Sequence, residues 1–200
     1  MLPQRINLIA YSTLAVIICY IDRVNISVAI IPMQEQFGWS DSQVGFIFSS
    51  FYLGYMLTMA LGGYLSDKFG GKRVLGWGVV LWSIFTILTP LAAHNGFFAL
   101  FFIRILMGIG EGVTFPAWHS LYARWIPFNE RTRAIAFTNS GVSIGTIIGY
   151  IGTQMIILAM GWEWAFYIFG IVGLVWFIFW NRNVTSYPNE HKRISAEELA

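Results

Sequence analysis

Four charged side chains stand in stretches of this chain that are otherwise apolar: Asp22 and Arg23, then Arg104 and Glu111. Arginine keeps its charge under all ordinary conditions and presents a planar fork that matches a carboxylate bidentately. A carboxyl group can instead take up and release a proton. Two fixed cations beside two titratable acids could therefore hold an organic anion while an acid carries a proton. The charges also sum to zero, so a mutually neutralised structural quartet is the competing reading. At ~100° per residue, Arg104 and Glu111 share one helical face; Tyr20, Arg23 and Ser27 share another, with Asp22 turned about 100° away. At ~1.5 Å per residue, Arg23 lies roughly 12 Å, and Arg104 roughly 10 Å, from the same end of their two spans. Glu111 lies deeper.

The elements that must position these groups are membrane spans. Of the 200 residues 56% are hydrophobic and only 11% charged, where soluble domains carry about 25% charged residues. Six apolar stretches, Ile6–Ile31, Val44–Leu65, Val74–Ala93, Phe97–Tyr122, Ala134–Leu158 and Ala165–Trp180, approach or exceed the ~20 residues that cross a bilayer. A charge at the centre of such a span costs roughly 2.5–3.5 kcal/mol on insertion scales, so the four charges belong in the helix bundle, away from lipid. Orientation follows from lysine and arginine. Arg5, Lys68, Lys72, Arg73, Arg124, Arg131, Arg133, Arg182, Lys192 and Arg193 all fall on one side, and the opposite loops hold no lysine or arginine. Both termini are expected in the cytoplasm, with the chain a multi-pass protein of the cell membrane.

Other chemistries find little support. The net charge of +2 does not mark a nucleic-acid partner, and a single cysteine, Cys19, with scattered histidines, supplies neither a disulfide framework nor a metal or cofactor site. Gly141-Val-Ser143-Ile-Gly145 matches the hydrolase nucleophile pattern. It lies inside an apolar stretch, and Gly141, Gly145 and Gly149 recur at helical spacing, so a small-residue packing face explains it better. An intramembrane serine hydrolase stays as the alternative from another class, and a non-transporting membrane fragment as a third reading.

Two longer patterns resemble a known family. Gly63-Tyr-Leu-Ser-Asp67-Lys-Phe-Gly70-Gly-Lys72-Arg73 is similar to the loop signature of the major facilitator superfamily, and Arg104 followed by Gly108 and Gly110 to its fourth-helix motif. Within that superfamily, Tyr20-Ile-Asp22-Arg23-Val-Asn25 and Gly110-Glu111-Gly112-Val-Thr-Phe115-Pro116 resemble the anion:cation symporters, which include bacterial sugar-acid permeases. The resemblance implies an all-α fold of six transmembrane helices arranged as two three-helix inverted repeats, one half of a twelve-helix carrier. Residues 1–180 would form this N-terminal half and 181–200 the start of a central linker. A C-terminal half, or a second copy, would complete the site.

The resemblance further implies proton symport of a small organic anion such as a sugar acid, without a cofactor. Arg23 and Arg104 would engage the substrate carboxylate, and Asp22 and Glu111 would take part in proton coupling. Tyr20, Tyr52, Tyr55 and Asn139 are candidates to contact the rest of the substrate. Gly63, Asp67, Gly70, Lys72 and Arg73 would form a loop that controls the conformational change. No Asn/Asp/Ser cluster reads as a sodium cage, although backbone carbonyls can build one. The first and fourth spans are expected to line the concave face and the third and sixth to lie toward lipid, the sixth exposing Phe166, Phe169, Trp176, Phe177 and Phe179.

Overall fold

The computed structural model describes residues 4–191. Its helices are α1 (Gln4–Phe37), α2 (Asp41–Phe69), α3 (Gly71–His94), α4 (Phe97–Gly112), α5 (Thr114–Trp125), α6 (Phe128–Met160) and α7 (Trp162–Asn183), followed by a short 3-10 turn at Pro188–Glu190. Six spans are long and apolar enough to cross a membrane, α4 and α5 together making the fourth. Each apolar stretch of the sequence falls within its own span. The one interruption, at Val113, has a local cause: Pro116 has no N–H to bond the Gly112 carbonyl, so the ladder breaks and restarts at Thr114. Ser40 starts α2 through a capping box, accepting from the Gln43 backbone while the Gln43 side chain takes the Ser40 N–H.

Glycine rows set the packing. A Cβ on Gly108 would run into the Phe51 carbonyl, and one on Gly54 into the Ile105 carbonyl, so α4 and α2 touch backbone to backbone. Gly141, Gly145 and Gly149 do the same for α6 against α1, meeting Thr13, Ile17 and Ile21. Small residues allow this approach, and dispersion between closely packed helices then drives association in lipid. The two contacts are equivalent: second span on fourth, fifth span on first. α3 packs on α4 and α7, and α7 on α1, so the order of packing neighbours is α2, α4, α3, α7, α1, α6. This is the pattern two inverted three-helix repeats produce. α1 and α4 are enclosed, while α2 and α6 are only 22% and 17% buried over their apolar windows. Tyr52, Leu53 and Met56 of α2, and Ile147, Ile151 and Met155 of α6, are among the apolar side chains left uncovered.

The sixth span departs from expectation. Phe166, Phe169 and Trp176 are buried, not turned to lipid. Gly170 and Gly173 bring α7 close to Ser83 of α3, and the aromatic rings on that side fill the space against the bundle. Phe177 is half-buried, and Phe179 faces outward as expected, together with Ile171, Val175 and Ile178.

The basic residues gather at one end. Arg5 pairs with Glu130 at 3.1 Å, joining the starts of α1 and α6. The segment after α7 folds back beneath this end, where Trp125 Nε1 donates to the Thr185 carbonyl at 3.2 Å, and Lys72 Nζ holds the last turn of α7 through the Asn181 carbonyl at 3.0 Å. Lys192 and Arg193, with the rest of 192–200, lie outside the described residues.

Candidate functional site

Two of the four intramembrane charges meet, one from α1 and one from α4. Arg23 donates through both Nε and Nη2 to a single oxygen of Glu111, Oε2, at 3.2 and 3.0 Å. Glu111 is fully buried, and its other oxygen has no hydrogen-bond partner. The glycines around it explain the seclusion. Gly108 and Gly112 let α4 close on α2, and Gly110 lets it close on α3 beside Trp82.

Arg104 does not join this pair. Buried to 2% exposure, its Nη1 lies 3.2 Å from the Met107 sulfur, and its Nε has no partner. Nor does Asp22 hold Arg23. Asp22 is fully buried on the other side of α1, and neither of its oxygens is hydrogen-bonded. The Trp82 indole N–H is likewise without a partner. Among the described residues the four charges therefore form one ion pair and two separate groups, not a neutralised quartet.

What links the two arginines is an aromatic ring. Phe51 lies 5.2 Å from the Arg23 guanidinium and 5.1 Å from that of Arg104, measured to the ring centroid. Tyr20 and Tyr55 add further faces to Arg23 at 4.8 and 4.7 Å. Such contacts contribute ~0.5–2 kcal/mol each, more when desolvated. They let two like charges share a small volume with only one carboxylate between them.

Both guanidiniums border one pocket of about 220 Å³, with Tyr20, Tyr52, Phe48 and Phe51 around it and Thr146 and Tyr150 from α6. It draws on the first, second, fourth and fifth spans, and the third and sixth contribute no side chain to it. Larger cavities at the basic end and on the α2–α3–α4 surface contain neither arginine. Asn139 is exposed on α6 and does not line this pocket. Ser143 is exposed as well, while Gly141 and Gly145 beside it are buried against α1. Sequence reasoning missed Phe51, Cys19, Thr146 and Tyr150. Their roles come from contacts between helices, and no local pattern marks them.

At the basic end, Gly70 takes φ +86°, a left-handed conformation open to glycine, and turns α2 into α3. Asp67 faces Arg124 at 3.5 Å and Ser120 at 3.4 Å, an exposed cluster. Lys72 is tied to the last turn of α7, whereas Gly63 stands in open space on α2 and Arg73 is exposed.

Six spans in two interlocked repeats, with an arginine-lined pocket between four of them, define one half of a polytopic carrier fold. The chain belongs to the Major Facilitator Superfamily, whose description it matches over residues 12–199. It is 46% identical over 196 residues to a probable chloroplastic anion transporter of Oryza sativa subsp. japonica, covering 98% of this chain and 33% of that protein. It is 44% identical to a chloroplastic ascorbate transporter of Arabidopsis thaliana and 43% to a sodium-dependent phosphate transport protein of the same plant, covering 36% and 38% of them. The chain thus spans little more than a third of the length of these relatives. Among solved structures, an inward-facing, occupied bacterial homolog of the human lysosomal transporter Spinster superposes with a TM-score of 0.80 at 24% identity, covering all of this chain and 48% of that one. A D-xylose–proton symporter does so at 0.79 and 20% identity, covering 91% and 48%. The family is one of transporters, so the hydrolase reading of Ser143 is set aside.

Proposed function

We propose that this chain is the N-terminal, charge-bearing half of a secondary carrier that moves a small organic anion, such as a sugar acid, together with a proton. The observation behind the reading is that Arg23 borders the pocket while its Nε and Nη2 are engaged by Glu111. Arg23 cannot fully serve Glu111 and a substrate carboxylate at once. Protonation of Glu111 removes the ion pair and frees the Arg23 fork, which with Arg104 then faces an incoming anion. Anion and proton are thereby taken up together. Asp22, buried without a partner, is the second proton-carrying candidate.

The pocket's 220 Å³ falls short of the ~300–1,000 Å³ usual for a ligand site, which fits a site whose opposite wall comes from a second six-helix half. The uncovered faces of α2 and α6 are where that half, or a second copy, would dock. Gly63, Asp67, Gly70, Lys72 and Arg73 form the conformational loop in this reading. In this reading the basic side faces the cytoplasm for a cell-membrane carrier, or the stroma if the chain shares its relatives' chloroplast location.

The test is uptake by the full-length carrier in proteoliposomes, with sugar acids, ascorbate and phosphate offered under proton or sodium gradients. Accumulation of a carboxylate driven by an inward proton gradient alone is the expected result. Accumulation that needs sodium, or that ignores both gradients, would remove the proton assignment.

A further inference from the structure

We propose that Cys19 is a positioning residue of the coupling site, a thiol that holds Glu111 Oε2 when Arg23 turns to the substrate. The inference rests on the proton-coupled reading above and extends it to a residue that reading did not use. Cys19 and Arg23 sit four residues apart on α1, hence on one helical face. The Cys19 thiol is fully buried and donates to Glu111 Oε2 at 3.3 Å. Its sulfur also accepts from Arg23 Nη2 at 3.8 Å. The sulfur therefore touches both members of the ion pair, and thiol and guanidinium converge on the same carboxylate oxygen while Oε1 has no partner. If Arg23 leaves for a substrate carboxylate, Cys19 is the one hydrogen-bond donor left to this buried acid among the described residues.

The thiol donates more strongly to the ionised acid paired with Arg23 than to the protonated acid left when Arg23 turns away, so on balance it favours the ionised form. Removing the thiol proton should make Glu111 easier to protonate, and transport should persist to higher pH. The ionisable groups close enough to interact electrostatically with Glu111 are Cys19, Tyr20, Asp22 and Arg23 from α1, Tyr55 from α2 and Arg104 from its own helix. α3, which packs on the same stretch, carries no ionisable side chain between Val74 and Ala93. Cys19 is thus one of few groups whose replacement changes the site without altering its charge.

Three variants of the full-length carrier separate donation from packing: Cys19→Ser keeps a donor, Cys19→Val fills the space without one, and Cys19→Ala does neither. Uptake driven by an inward pH difference of fixed size is measured across absolute pH. Serine should reproduce the wild-type profile, whereas valine and alanine should move its midpoint upward by about half a unit to one unit. Wild-type profiles in valine and alanine, or an equal displacement in all three variants, overturn the positioning role. Wild-type uptake that is itself indifferent to pH would instead remove the coupling reading, and this inference with it.

Discussion

Arg23 rests two donors on one oxygen of Glu111, Nε at 3.2 Å and Nη2 at 3.0 Å, instead of spreading them over both oxygens. A parallel fork on two oxygens is the more specific arrangement for an arginine–carboxylate pair. The single-oxygen grip leaves Glu111 Oε1 bare. It holds the two residues together while leaving the carboxyl half unsatisfied, and the predictions below depend on that geometry.

The arginines should not tolerate lysine. An ammonium is a point charge without the planar fork, and hydrogen bonds to charged groups contribute about 1.5–3 kcal/mol each. Arg104→Lys and Arg23→Lys in the full-length carrier should therefore weaken anion binding by roughly 10- to 100-fold, read from equilibrium binding or the KM of exchange. Wild-type affinity in either variant would take that arginine out of the binding site.

Phe51 should prove as important as its position between the guanidiniums implies. Phe51→Leu keeps an apolar, buried side chain but removes both ring contacts. With ~0.5–2 kcal/mol at stake in each, the variant should fold and bind substrate several-fold to tens-fold more weakly. A variant that loses thermal stability and keeps its affinity would show the ring to be core filling only.

Asp67 offers a cleaner separation of stability from turnover. Its contact with Arg124 is exposed, Asp67 at 77% and Arg124 at 23%, and exposed pairs contribute ~0–1 kcal/mol. Asp67→Asn should leave the melting temperature and substrate affinity almost unchanged while slowing transport. Unchanged turnover would reduce this loop to a topological signal.

Much of this was legible in the sequence because bilayer physics is strict. Six spans, their common basic side, the placement of four charges within the helix bundle and the glycine face of Gly141, Gly145 and Gly149 follow from hydropathy, charge and period alone. The faces assigned to Tyr20, Arg23 and Ser27, and to Asp22 away from them, match the pocket for the same reason. The sixth span was misjudged because an aromatic run with no charge reads alike whether it faces lipid or neighbouring helices. There Gly170 and Gly173, which admit α3, were the informative residues. Phe51 and Cys19 were invisible because their importance lies in what α1 and α4 bring against them. Asn139 was chosen for its chemistry, and the helix turns it away from the pocket.

The central claim is that the Glu111 proton and the Arg23 fork are exchanged for one another, and Glu111→Gln in the reconstituted full-length carrier tests it most directly. Glutamine mimics the protonated acid, so the variant should bind anion and exchange it across the membrane at rates near wild type. It should not concentrate anion under a pH gradient. Asp22→Asn, with no partner to release, should reduce accumulation less. A Glu111→Gln carrier that folds, exchanges substrate and still concentrates it against its gradient contradicts the account.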